Sequence, residues 1–79
     1  MIVKILGVGC PKCKNLAKKM EEIREKYNLD YEVQKVTDLD DIVEYGVMMT
    51  PGLVIDEQLK SAGTIPKDKD ILKWLGVSV

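Results

Sequence analysis

Two cysteines lie where a predicted strand meets a predicted helix, and no other feature constrains the fold of this chain as strongly. The apolar run Ile2–Leu6 has the composition of a strand that is covered on both faces. The segment Cys10–Cys13 follows shortly after it, and the chain then enters the helical pattern Lys14–Met20. A Cys-x-x-Cys at a strand-to-helix junction is typical of a thiol–disulfide redox site.

The rest of the chain alternates short strands with helices. Predicted strands cover 2–6, 31–36, 53–55 and 59–61, and predicted helices start at Pro11, after Thr37 and at Lys67. The first two strands are joined through a helix, so they should run parallel with a right-handed crossover. The last two strands form a hairpin and are antiparallel. The sequence therefore predicts an α/β fold of order β-α-β-α-β-β-α, a four-stranded mixed sheet with helices on both faces, in a single domain over residues 1–79.

The sequence also predicts where the short second helix begins and which of its side chains are buried. Thr37 and Asp40 have the spacing of a capping box, which predicts that Thr37 begins the helix. Leu39, Ile42 and Val43 are apolar at helical spacings. We expect all three to face inwards.

Composition excludes several classes of function. The chain has 79 residues and a net charge of -1, so electrostatics indicate no nucleic-acid or membrane partner. It has no histidine, which excludes His-based acid–base catalysis and His-ligated metal sites.

No signal-peptide pattern is found at the N-terminus. Two cysteines three positions apart would close too small a loop to stabilise a secreted domain. We expect a cytoplasmic monomer.

The two cysteines are predicted to have unequal roles. Pro11 suits the first helical position, so Cys10 should cap the helix N-terminus, where unpaired N–H groups and the helix dipole favour a thiolate. Lys12 and Lys14 add positive charge, and these effects together lower the pKa of the Cys10 thiol from about 8.5. Cys10 is therefore the predicted nucleophile, and it would form a mixed disulfide with its target. Cys13 lies one turn along the buried helix face and is predicted to resolve that intermediate, with no cofactor beyond the Cys10–Cys13 disulfide.

Two other interpretations of the dithiol stay open at this point. One is a soft-metal module that binds or carries Cu(I) or zinc through the same two thiolates, although a tetrahedral zinc site needs four ligands. The other is an interaction domain that retains the dithiol without using it.

Thr50 and Pro51 stand immediately before the third predicted strand. With Cys10–Cys13 at the start of the first helix and this Thr-Pro pair downstream, the chain resembles the thioredoxin superfamily, and most closely the small redox-active disulfide proteins of archaea and bacteria. The resemblance implies a protein-disulfide oxidoreductase that works with disulfide-containing protein substrates and an upstream reductase. It also implies that Pro51 is cis and faces the dithiol, and that the backbone of Thr50 pairs with an extended substrate segment. Met49 precedes this pair, and its flexible thioether suits a surface that accepts varied substrates.

Two positions depart from the usual thioredoxin pattern. Gly9 precedes the first cysteine, where thioredoxins usually carry a tryptophan. Lys4 stands six residues before that cysteine, where they usually hold a buried acid that helps proton transfer. Neither the reduction potential nor the direction of electron flow follows from the motif.

Overall fold

The computed structural model describes residues 1–77, and its elements follow one another in the predicted order. Over these residues they are β1 (Ile2–Leu6), α1 (Pro11–Lys26), β2 (Glu32–Val36), α2 (Leu39–Glu44), β3 (Gly52–Ile55), β4 (Gln58–Ala62) and α3 (Asp68–Leu75). No helix within residues 1–77 is both long enough and apolar enough to cross a membrane.

The four strands form one mixed sheet in the order β2-β1-β3-β4. β1 pairs with β2 in parallel and with β3 antiparallel, and β3 and β4 form the predicted antiparallel hairpin. Leu6, at the end of β1, is in register with Val36 on one side and with Gly52 on the other. The end of β1, the end of β2 and the start of β3 therefore meet at the same edge of the sheet.

Helices cover both faces of the sheet, as predicted. On one face, α1 and α3 pack on Val3, Ile5, Leu53 and Ile55. On the other face, Leu6 and Val54 pack with Ile42 of α2 and with Val47. Side chains of a strand alternate between its two faces, so Lys4 points to the same side as Leu6, towards α2.

The helix boundaries agree with local sequence signals, with one exception at α2. α1 begins with Pro11 at its first position, and Asn28, just beyond the end of the helix, has a left-handed φ of 52°. At α2 the prediction that Thr37 is the cap is wrong. Asp38 is the cap, and its carboxylate accepts a hydrogen bond from the Asp40 amide at 2.9 Å.

The prediction for the buried face of α2 is correct for one residue of three. Ile42 is buried, whereas Leu39 and Val43 are each 64% exposed. The helix has only six residues. Val43, one position further on, is rotated by about 100° around the helix axis from Ile42, and Leu39, at the first position of the helix, is exposed although it lies three residues before Ile42.

Candidate active site

Cys10 caps the N-terminus of α1. Its backbone is extended, its carbonyl accepts the first helical bond from the Lys14 amide at 3.0 Å, and its Sγ accepts a hydrogen bond from the Cys13 amide at 3.2 Å. Cys10 and Cys13 are joined by a disulfide, with their Cα atoms 5.1 Å apart. This is the predicted cap, and it directs a backbone donor at the Cys10 sulfur.

Cys13 is the less accessible of the two cysteines. It is only 5% exposed and belongs to the buried face of α1, whereas Cys10 is half-buried. Gly7 lies directly against it, and a Cβ added at Gly7 would overlap Cys13 Sγ. The chain therefore needs glycine here so that the end of β1 can approach the helix closely.

Thr50 and Pro51 adjoin the dithiol on the β3 side. The Thr50–Pro51 peptide bond is cis, as the resemblance implied. Thr50 Oγ1 lies 3.9 Å from Cys10 Sγ, and Pro51 is buried. Met48 and Met49 precede this pair and are 90% and 69% exposed. We call these two side chains the methionine flank.

Pro11 and Lys12, the two residues between the cysteines, are both exposed. Their side chains therefore form part of the exposed surface next to Cys10. Lys12 brings a positive charge to this surface.

A small cleft opens on the other side of the dithiol, towards β2. Its volume is about 140 Å³. We call it the Cys13 cleft, and it is lined by Ile5, Gly7, Gly9, Cys13, Lys14, Ala17, Lys35 and Thr37. The sequence analysis did not identify Lys35 or Thr37 as site residues. A signal was available, because the carboxyl ends of two parallel neighbouring strands lie at the same edge of a sheet.

Lys4 does not line the Cys13 cleft. Its Nζ donates hydrogen bonds to Glu57 Oε1 at 2.6 Å and to Tyr45 Oη at 2.9 Å, and Tyr45 Oη donates to Glu57 Oε2 at 2.8 Å. The hydrogen bond to Glu57 raises the pKa of Lys4, and the same bond lowers the pKa of Glu57. The basic residue at this position thus joins β1 to α2 and to the β3–β4 turn.

Within residues 1–77, no group of three or more His, Cys, Asp or Glu side chains is arranged to hold a metal ion. The dithiol therefore supplies two sulfur ligands without a third protein ligand among the described residues.

Comparison with known proteins agrees with this geometry. A family model described as the thioredoxin domain matches residues 1–76. The chain belongs to the thioredoxin family. It is 35% identical over 75 residues to a thioredoxin of Methanocaldococcus jannaschii, a match that covers 95% of this chain and 86% of the relative. It is also 35% identical over 75 residues to a thioredoxin of Methanothermobacter thermautotrophicus, covering 95% of this chain and 97% of that relative.

Family membership and the Cys10–Cys13 disulfide together establish the class of activity. The chain is a thiol–disulfide oxidoreductase, and proteins of this kind exchange electrons with disulfide-containing proteins and with a reductase.

Proposed function

We propose that Cys10 is the attacking thiolate of this oxidoreductase and that Cys13 is the resolving thiol. The difference between the two sulfurs carries the proposal. Cys10 is half-buried, caps α1 and accepts the Cys13 amide, whereas Cys13 is 5% exposed against Gly7. A sulfur at a helix N-terminus with a backbone donor aimed at it is stabilised as a thiolate, which is the nucleophilic form.

The reaction transfers two electrons from the dithiol to the target. Cys10 thiolate attacks one sulfur of the target disulfide, the target S–S bond breaks, and the departing thiolate takes a proton from solvent. Cys13, once deprotonated, attacks Cys10 Sγ and releases the second target thiol. The target disulfide is reduced to two thiols, and the Cys10–Cys13 disulfide forms. An upstream reductase returns the protein to the dithiol.

We propose that the target protein binds along Thr50, Pro51 and Met49. Thr50 Oγ1 is 3.9 Å from Cys10 Sγ, so a chain that reaches Cys10 passes this segment. Proline has no N–H, so Pro51 offers no amide to compete for the sulfurs. The backbone of Thr50 pairs with the extended target, Met49 supplies adaptable apolar contact, and Pro11 and Lys12 tune Cys10.

We also place the chain in the cytoplasm, as a single domain and a monomer. We propose that it acts without a bound cofactor, and that its substrates are proteins rather than nucleic acids or membranes. The Cys10–Cys13 disulfide closes a loop too small to stabilise a fold, so a structural role in an oxidising compartment does not explain it. Redox exchange in a reducing compartment does.

Reaction with a small aromatic disulfide tests the roles directly. We expect reduced wild-type protein to release two equivalents of thionitrobenzoate from 5,5′-dithiobis(2-nitrobenzoate) and to end as an internal disulfide. The Cys13→Ser variant should release one equivalent and keep the other as a mixed disulfide on Cys10, seen by mass spectrometry. The matched Cys10→Ser variant should react roughly ten-fold or more slowly, because Cys13 is buried.

Equal reactivity of the two single variants would contradict the assignment of roles. Failure of the wild-type protein to form its internal disulfide would contradict dithiol exchange itself.

A further inference from the structure

We propose, on the basis of the function proposed above, that this site prefers disulfides flanked by acidic residues, with an acidic side chain of the target entering the Cys13 cleft. The preferred substrate class is a protein disulfide with a glutamate or aspartate next to the attacked cysteine. The specificity residues are Lys35 and Lys14.

The sheet topology gives the dithiol two different flanks. Leu6 at the end of β1 is in register with Gly52 of β3 and with Val36 of β2. The dithiol follows β1, so the segment before β3 lies on one side of it and the end of β2 lies on the other. A target that crosses the dithiol therefore meets both flanks.

The β3 flank is apolar. The methionine flank, Met48 and Met49, is among the most exposed apolar surface of the described residues. Flexible thioethers adapt to many apolar side chains and discriminate weakly among them. This flank contributes contact area with little selectivity.

The β2 flank is basic. Lys14 and Lys35 both line the Cys13 cleft, and none of the described residues that line it is acidic. The first acidic residue after Lys35 and Thr37 in the sequence is Asp38, and its carboxylate accepts the hydrogen bond that caps α2. Both lysines are exposed, so a carboxylate at this cleft is attracted by two positive charges.

The walls of the cleft suit the stem of a glutamate. Ile5 and Ala17 provide apolar surface, and the cavity of about 140 Å³ is similar to apolar cavities of about 150 Å³ that hold benzene. One side chain fits. The methylene groups of the glutamate contact the apolar wall, and its carboxylate reaches a lysine. Long charged side chains bury their apolar stems in the same way while their charged ends stay near water or a partner.

Three matched peptide disulfides test the preference. Each is a symmetric dimer of a short peptide with a single cysteine, and they differ only in the residues on both sides of the cysteine, which are Glu, Gln or Lys. We measure the rate constant of a single turnover by pre-reduced protein. Each value is divided by the rate for the same peptide with dithiothreitol, which removes the intrinsic effect of the charges on disulfide exchange.

We expect the Glu peptide to react about ten-fold faster than the Lys peptide at low ionic strength, with the Gln peptide between them. The ratio should approach one at about 1 M salt, where charges on an open surface are screened. The Lys35→Glu variant should invert the order, and Lys35→Gln, a milder change, should flatten it. Lys69→Glu is the matched control, since it makes the same charge change at an exposed position of α3 and should keep the wild-type order.

Each outcome bears on the inference. Equal normalised rates for the three peptides would overturn it while leaving the proposed function intact, because the disulfides would still be reduced. A preference that Lys35→Glu and Lys69→Glu change alike would overturn the assignment to the cleft. Failure to reduce any of the peptides would instead count against the proposed function.

Discussion

At the scale of single residues, the two cysteines differ because they occupy different positions of the same helix. Cys10 stands at the cap, outside the helical turn, and Cys13 lies three residues on, at the buried face. The Cys-x-x-Cys spacing thus gives one accessible sulfur and one protected sulfur. The protected sulfur also depends on Gly7, which no motif of the sequence distinguishes.

Gly7→Ala should destabilise the protein because the new Cβ would overlap Cys13 Sγ. Overpacking of this kind costs about 1–3 kcal/mol. Urea unfolding under reducing conditions measures the cost. In a Cys13→Ala background, where the sulfur is gone, the same substitution should cost less. An equal cost in both backgrounds would show that Cys13 does not fill the space beside Gly7.

The sequence alone identified site residues that belong to recognisable motifs. It did not identify site residues that reach the site only through the pairing of one strand with its neighbour. Cys10, Cys13 and the Thr50–Pro51 pair belong to motifs, and the structure joins the two cysteines and places Thr50 beside Cys10. Lys35 enters the site because β2 is parallel to β1 and pairs Lys35 with Ile5. The chain contains many lysines, and only the three-dimensional register distinguishes this one.

At the scale of elements, α2 shows where local patterns fail. Thr37 and Asp40 have the spacing of a capping box, but Asp38 is the cap and accepts the hydrogen bond from the Asp40 amide. A six-residue helix also exposes Leu39 and Val43, whose burial the pattern predicted. Tertiary packing decides such short elements, because their own stability is small.

The Lys4–Tyr45–Glu57 network should make stability depend on pH through Glu57. The pKa of Glu57 is lowered in the folded protein, so its contribution is present above pH 4.5, the ordinary value, and is lost as the pH falls through the lower folded value. The pKa of Lys4 is raised, so its contribution is present below pH 10.5 and is lost only at more alkaline pH.

Glu57→Gln should therefore lower Tm at neutral pH by about 1–4 °C, and the difference from wild type should shrink as the pH falls below 4.5. Thermal unfolding followed by circular dichroism across this range measures it. Glu44→Gln removes a neighbouring carboxylate outside the network and serves as the control. A Tm difference that stays constant down to strongly acidic pH would contradict the coupling to Glu57.

At the scale of the whole molecule, a thin core supports the site. A chain of 79 residues has a total stability of roughly 4–12 kcal/mol. The order of elements and the mixed sheet could be predicted, because strand composition, the crossover rule and the hairpin turn all agree. The size and position of the Cys13 cleft could not, because a cavity depends on how side chains from separate elements meet.

Leu16→Ala should remove a large share of this stability. Leu16 is fully buried on α1 within the main core, and truncating a buried leucine costs about 2–5 kcal/mol. Leu39→Ala makes the same chemical change at an exposed position of α2 and should stay within about 0.5 kcal/mol of wild type. Urea unfolding of the oxidised proteins compares them. Similar losses in the two variants would contradict the division into a buried and an exposed apolar surface.

The pH dependence of alkylation tests the central claim, that Cys10 is the activated thiolate, most directly. Fully reduced wild-type protein is treated with limiting iodoacetamide at a series of pH values, and peptide mass spectrometry assigns the modified cysteine. We predict that Cys10 is modified first, with an apparent pKa below the value of about 8.5 for a free cysteine. Modification of Cys13 first, or an apparent pKa for Cys10 at or above that of a free thiol, would contradict the account.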